Sequence, residues 1–186
     1  MSWFESLPET SLRLLEAAGL TADTCVVDIG GGDSRLIDHL VARGLDCLAV
    51  LDVSGAALAR ARSRLGTSAS LPVWLETDVA GEWSLQQMDI WHDRAVFHFL
   101  TSGDDRERYR SHLLQTLKPG GAAIVATFAP DGPPMCSGLP VMRYSPETLA
   151  AALGSDLTIV ESLPHVHITP WGTPQSFVYC RFVRSH

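Results

Sequence analysis

Apolar residues in this chain fall into two kinds of run, and the alternation of the two sets the expected architecture. Short continuous runs at 25–29, 47–51, 71–75, 88–91 and 122–128 predict buried strands. Between them lie segments with apolar residues three or four positions apart, such as Leu36, Ile37, Leu40 and Val41, which predict amphipathic helices. An opening helix is expected over 8–18, and Ser54 caps another that reaches Leu65. A helix over 105–117 halts at Lys118-Pro119-Gly120-Gly121. Ser145-Pro146 begins one more, with proline at its first helical position. Helices between strands imply a parallel sheet covered on both faces. The last two strand signals, 157–160 and 177–183, have no helix between them and should form an antiparallel hairpin. No repeat or linker interrupts the pattern, so residues 1–186 read as a single α/β domain.

The first strand runs into the segment Val26-Val27-Asp28-Ile29-Gly30-Gly31-Gly32-Asp33-Ser34. Glycines at such a turn let the backbone approach a ligand where a Cβ would collide. A dinucleotide fingerprint would need glycine at the first, third and sixth positions, but counting from Gly30 the sixth is Arg35. Asp28 and Asp33 are also poor neighbours for a pyrophosphate. They suit a ligand with cationic groups, such as the amino group and sulfonium of S-adenosylmethionine.

Asp28-Ile-Gly30-Gly31-Gly32 resembles the first motif of class I S-adenosylmethionine-dependent methyltransferases, acid-x-Gly-x-Gly-x-Gly, with Ser34 where the last glycine would stand. The resemblance implies a Rossmann-like, doubly wound, mostly parallel seven-stranded sheet of order 3-2-1-4-5-7-6, its last strand antiparallel. It also implies S-adenosylmethionine as cofactor, held by Asp28, Gly30, Gly31, Gly32 and Ser34. Asp52, closing the second strand, can accept hydrogen bonds from both hydroxyls of a ribose. Asp78, after the third, falls where the resemblance puts a group touching the adenine amino group. Val53 and Val79 beside these acids complete the expected cofactor set.

After the fourth strand comes the polar triplet His92-Asp93-Arg94 and then the apolar run 95–100. The triplet and Ala95 resemble the Asp-Arg-Ala/Gly segment of thiopurine methyltransferase and related thiol and metalloid methyltransferases, in which the arginine faces the acceptor. They also resemble the Asp-Lys-Gly-Thr segment of some protein lysine methyltransferases, from which Arg94 and Ala95 depart. Alternatively, Asp93 and Arg94 pair with each other to anchor the turn. The expected catalytic set is Asp93, Arg94 and His92, the histidine as a base near neutrality. His98, inside the apolar run, reads as a packed histidine. The acceptor wall is expected from Trp91, Arg94, Cys136, His167 and Trp3. Trp3 and Phe4 would either fold over the cofactor as a lid or simply cap the core, and Gly132-Pro133-Pro134-Met135, next to Cys136, resembles the Gly-Pro-Pro-Phe stretch of thiopurine methyltransferase. His165-Val-His167 on a strand would put both rings on one face, as two metal ligands need. A zinc site needs a third protein ligand and none is signalled, so a polar wall or hairpin loop is preferred and no metal is expected.

A net charge of −7 with fourteen Lys and Arg argues against a nucleic-acid surface. Arg60, Arg62 and Arg64 read as a solvated helix face. No apolar stretch is long enough to span a bilayer and no secretory leader opens the chain, so a cytoplasmic protein is expected. Four cysteines without CxxC spacing predict neither disulfide nor zinc. The expected activity is methyl transfer to a small molecule, with a thiol or thiol-like compound as the favoured acceptor. Protein lysine N-methylation, a cofactor-binding protein without chemistry and a nicotinamide oxidoreductase are the alternatives.

Overall fold

The computed structural model describes residues 5–186. In chain order these form α1 (Glu9–Ala17), β1 (Val26–Ile29), α2 (Leu36–Ala42), β2 (Leu48–Asp52), α3 (Gly55–Leu65), β3 (Val73–Glu76) and β4 (Met88–Arg94). Then follow α4 (Gly103–Thr116), β5 (Leu117–Phe128), β6 (Met135–Cys136), β7 (Leu139–Pro140), α5 (Pro146–Leu153), β8 (Leu157–Ile168) and β9 (Pro174–Arg184). Seven strands make one sheet in the order β3-β2-β1-β4-β5-β9-β8, and β6 and β7 form a separate small hairpin. With that hairpin set aside, the order is the one expected. The strands from β3 to β5 are parallel, and β9 runs antiparallel to both β5 and β8.

Successive residues of a strand point to opposite faces, so each central strand feeds two cores. Val27, Ile29, Trp91 and Val125 pack with Tyr109 and Leu113 of α4 and Leu149 of α5. Val26, Val50, Ile90 and Ile124 pack on the other face with Leu14 and Leu15 of α1, Leu36 of α2 and Leu58 of α3. Ser145 and Thr148 form a reciprocal capping box at the start of α5, with Pro146 at its first turn. Among the described residues no helix is long and apolar enough to cross a membrane.

Several elements depart from the pattern-based expectation. β4 does not stop at Trp91 but carries His92, Asp93 and Arg94 within the ladder, opposite Ile124, Val125 and Ala126 of β5. β5 begins at once after α4, and a register shift between Met88 and Ile90 of β4 accommodates the Pro119-Gly120-Gly121 stretch. β8 extends to Ile168, so His165 and His167 lie on a strand rather than in a linking loop. Pro164 is tolerated there because β8 is the sheet edge.

The expectation of no disulfide is overturned, because Cys25 and Cys47 are bridged, with Cα atoms 4.6 Å apart. They enter the adjacent strands β1 and β2, whose first residues Val26 and Leu48 are paired in register. The strand spacing of about 4.8 Å therefore brings the two sulfurs together, a proximity that sequence spacing does not carry. Thiol titration of the denatured, unreduced protein should find two thiols of the four cysteines. Reduction should release two more, bringing the total to four, and lower stability by about 3 kcal/mol. Four thiols before reduction would show that the bridge does not form.

Candidate functional site

The carboxyl ends of the parallel strands open into a crevice of about 630 Å³, within the range of small-molecule sites. Its floor is the glycine turn after β1. Gly30 has φ 67°, and a Cβ there would come within 2.1 Å of the Val96 side chain. At Gly31 a Cβ would meet Asp28 Oδ2 at 2.3 Å, and at Gly32 it would meet Asp52 Oδ2 at 2.5 Å. The turn is tied to β2, since Gly30 and Gly31 N–H both donate to the Leu51 carbonyl, at 2.7 and 3.3 Å. Ser34, in place of a last glycine, accepts the Leu36 N–H at 3.1 Å, a local contact just ahead of α2.

Asp33 does not face the crevice. It accepts hydrogen bonds from Arg60 (2.8 Å) and Arg64 (2.9 Å) of α3. Arg64 also donates to Asp38 and, at 2.7 Å, to the Ser34 carbonyl. Two of the three arginines expected to be solvated therefore clamp the glycine turn. Arg62 instead lies over the Trp74 ring. The only signal for Arg64 was a cation at a helix end and an acid in the turn; their pairing across α2 and β2 is a tertiary fact.

Asp52, Val53, Asp78 and Val79 all line the crevice, together with Gly30 and Arg94. Asp52 Oδ1 accepts the Ser54 N–H at 2.8 Å and Oδ2 the Gly32 N–H at 3.0 Å. Burial pushes its carboxyl up, and those two N–H groups work against the shift. Asp78 Oδ1 accepts the Ala80 N–H at 2.9 Å. Val53 is 74% exposed, an apolar side chain held open at the rim.

The triplet of β4 divides between the two faces of the sheet. His92 is paired in register with Asp28 of β1, and its Nδ1 lies 2.7 Å from Asp28 Oδ1. Its Nε2 meets the Ser11 hydroxyl of α1 at 2.9 Å. The chain Ser11–His92–Asp28 has the connectivity of a nucleophile triad, but Ser11 is 1% exposed beneath α1, where no substrate reaches it. Asp28 Oδ2 is buried and has no hydrogen-bond partner among the described residues. Asp93 points the other way. It accepts the Tyr109 hydroxyl (2.7 Å) and the N–H groups of Val96 and Phe97, while Tyr109 in turn accepts the Trp91 indole N–H. Arg94 returns to the His92 face and pairs with Glu5 at 3.1 Å. Asp93 and Arg94 therefore do not pair with each other, because adjacent strand residues face apart. Ala95, next in line, has φ 69° and lines the crevice. A small residue is favoured in that left-handed conformation, which explains an Ala/Gly position after the arginine.

The remaining expected acceptor residues are dispersed. Trp91 is fully buried in the α4-side core and stacks edge-on with Tyr109. Cys136 is 3% exposed and packs in the opposite core, whereas Leu139 and Pro140 of the same hairpin form the crevice lip. His167 is buried on β8 with Nδ1 3.1 Å from Glu5 Oε1. It does not line the crevice, and Glu5 links it to Arg94, which does. Trp3 and Phe4 lie outside the described residues. His98 is packed as expected, its pKa pushed down by burial to about 3. Sequence reasoning also missed Glu5, which lies in no periodic segment.

A family model for a methyltransferase domain matches residues 27–123, 97 of the 186 positions, which takes in β1 to the middle of β5. A search of curated protein sequences found no match. Among solved structures, one from work on conversion of a disulfide bond into a thioacetal group during echinomycin biosynthesis is similar, with TM-score 0.76 and 20% identity over 100% of this chain and 84% of that one. Burkholderia thailandensis 1,6-didemethyltoxoflavin-N1-methyltransferase, with 1,6-didemethyltoxoflavin and S-adenosylhomocysteine bound, gives 0.76 and 17% over 97% and 79%. The N-methyltransferase NodS from Bradyrhizobium japonicum gives 0.74 and 19% over 96% of each chain. At such identities the likeness is one of fold.

Burial raises the Asp93 carboxyl from 3.8 to about 6, against the opposing hydrogen bond of Tyr109 and those of Val96 and Phe97. The folded chain therefore binds a proton that the unfolded chain has released between about pH 4 and 6. This contribution to stability is full below about pH 4 and is lost as pH rises through 6. Urea midpoints should fall across that window in the wild type relative to Asp93→Asn. Parallel curves would rule Asp93 out as their source.

Proposed function

The chain belongs to the methyltransferase-domain family, and on that footing we propose that it transfers a methyl group from S-adenosylmethionine to a small-molecule acceptor, with a thiol or thiol-like compound favoured. The observation that carries this reading is the convergence of Asp52, Asp78 and Arg94 on one crevice beside the glycine turn. The proposal takes residues 1–186 as one domain and, given a net charge of −7, excludes nucleic acid as partner.

The residues fit the cofactor. Both Asp52 oxygens keep lone pairs beyond their backbone N–H bonds, so they can accept the ribose hydroxyls. Asp78 would take the adenine amino group, between the apolar side chains of Val53 and Val79. The cradle of Gly30, Gly31 and Gly32 leaves room that any Cβ would fill. The Oδ2 of Asp28, beside Gly31 and without a hydrogen-bond partner among the described residues, suits a cationic amino group. Ser34 follows the cradle, just ahead of α2. When bound, the cofactor supplies a sulfonium methyl group that a nucleophile can accept in line.

The chain's own work is alignment and exclusion of water. Arg94 is held by Glu5 and offers a cation to the crevice, which suits a thiolate or another anionic acceptor group. Phe99, Leu100, Leu139 and Pro140 make the surrounding wall apolar. His92 and Asp93 are positioning residues in this reading. His92 orients Asp28, and Asp93 fixes the turn at Val96 and Phe97 from which Ala95 and Arg94 are presented. Trp91 and Cys136 act only as framework. The bound 1,6-didemethyltoxoflavin of one similar structure supports a small acceptor, and the N-methyltransferases among them make nitrogen the rival atom.

Calorimetry should show S-adenosylhomocysteine binding that Asp52→Ala weakens at least about tenfold, or 1.4 kcal/mol. Unchanged affinity would remove the ribose role of Asp52. With methyl-labelled cofactor and panels of thiols, amines and carboxylates, label should enter low-mass thiol product. Label confined to protein would overturn the small-molecule reading.

A further inference from the structure

A second cavity, of about 440 Å³, opens between the segment leading into α1 and the edge strand β8. His165 and His167 occupy alternate positions of β8 and so share a face. Their rings lean edge-on against Tyr179 and Phe177 of β9, which limits their rotation. Glu5 lies opposite. Its Oε1 is 3.1 Å from His167 Nδ1 and 3.6 Å from His165 Nε2, and the three donor atoms lie within 4.8 Å of one another.

We propose that Glu5, His165 and His167 bind a divalent cation of the zinc type, with solvent from the cavity completing the coordination. Two imidazole nitrogens and one carboxylate oxygen form the three-ligand set of an open zinc site. Ligand atoms around tetrahedral zinc stand roughly 3.3 Å apart, so two of the three separations are already near that value. Among the described residues His165 Nε2 is buried with nothing within hydrogen-bond distance, Glu5 Oε1 standing just beyond it at 3.6 Å, so a cation between the two would satisfy it. The other ring nitrogen of His165 lies 3.3 Å from the Thr10 hydroxyl, the outer contact that fixes a ligating imidazole. Glu5 Oε2 remains with Arg94, leaving Oε1 to the cation. The missing third ligand of the His-x-His pair thus comes from the far end of the chain.

The test is direct metal binding by the untagged full-length protein after chelator treatment, and it does not depend on methyl transfer. Calorimetric titration with zinc chloride should show one equivalent bound with Kd of about 1 μM or tighter. Cobalt(II) should give the visible absorption of a four-coordinate ion. Glu5→Gln, His165→Ala and His167→Ala should each weaken binding at least tenfold, while His39→Ala should not. Thermal melts without metal identify any variant that fails to fold, and Glu5→Gln preserves the side chain's shape. Absence of one-equivalent binding, or binding unchanged in all three folded variants, would overturn the site.

Discussion

The buried contact between Asp28 and His92 couples the two central strands at the level where the crevice begins. Both side chains are almost wholly removed from water, so neither could stand there alone. Removing one member of such a pair costs about 3–5 kcal/mol, because it strands the other. The pair fixes the register of β1 against β4. That register brings the glycine turn after β1 beside the Arg94–Ala95 corner after β4. Ser11 extends the contact to α1, and the Tyr179 hydroxyl of β9 is pushed up to about 12 by burial.

The rest of the site follows from alternation along β4. Three consecutive polar residues enter a sheet covered on both faces, and each must find a partner there. His92 and Arg94 face α1 and the segment before it, while Asp93 faces α4. Each is satisfied by a different part of the chain: His92 by Asp28 and Ser11, Asp93 by Tyr109 and two backbone N–H groups, Arg94 by Glu5. The crevice therefore receives one cation from the triplet. The glycine turn is held in the same manner from outside, by Arg64 on Asp33, Asp38 and the Ser34 carbonyl. Its conformation is set before any ligand arrives, which lowers the ordering cost of binding.

Much of the fold was legible because burial on both faces demands continuous apolar strands and amphipathic helices, and these leave a period in the sequence. α3 with its Ser54 cap, α5 with Ser145 and Pro146, and the antiparallel closing hairpin all follow from such signals. Elements failed where polar residues stayed in a strand. β4 kept His92 to Arg94, and β8 kept His165 and His167, because the groups they face lie outside the local sequence. The sidedness of Asp33, the pairing of Arg64 and the Cys25–Cys47 bridge were illegible for the same reason.

Taken alone, the sequence determined the parallel α/β sheet with its hairpin edge, the position of the glycine turn, and the acids Asp52 and Asp78 at neighbouring strand ends. Periodicity and turn chemistry are local, and a strand end is local too. Which side chains face the crevice was decided only by the tertiary structure. Register sent Trp91 and Asp93 to one core and His92 to the other, and the hairpin turned Cys136 inward while offering Leu139 and Pro140. Glu5 met Arg94, His165 and His167 only because the segment before α1 packs against both the end of β4 and β8. Contacts between residues so far apart in the chain depend on packing, and packing leaves no period to read.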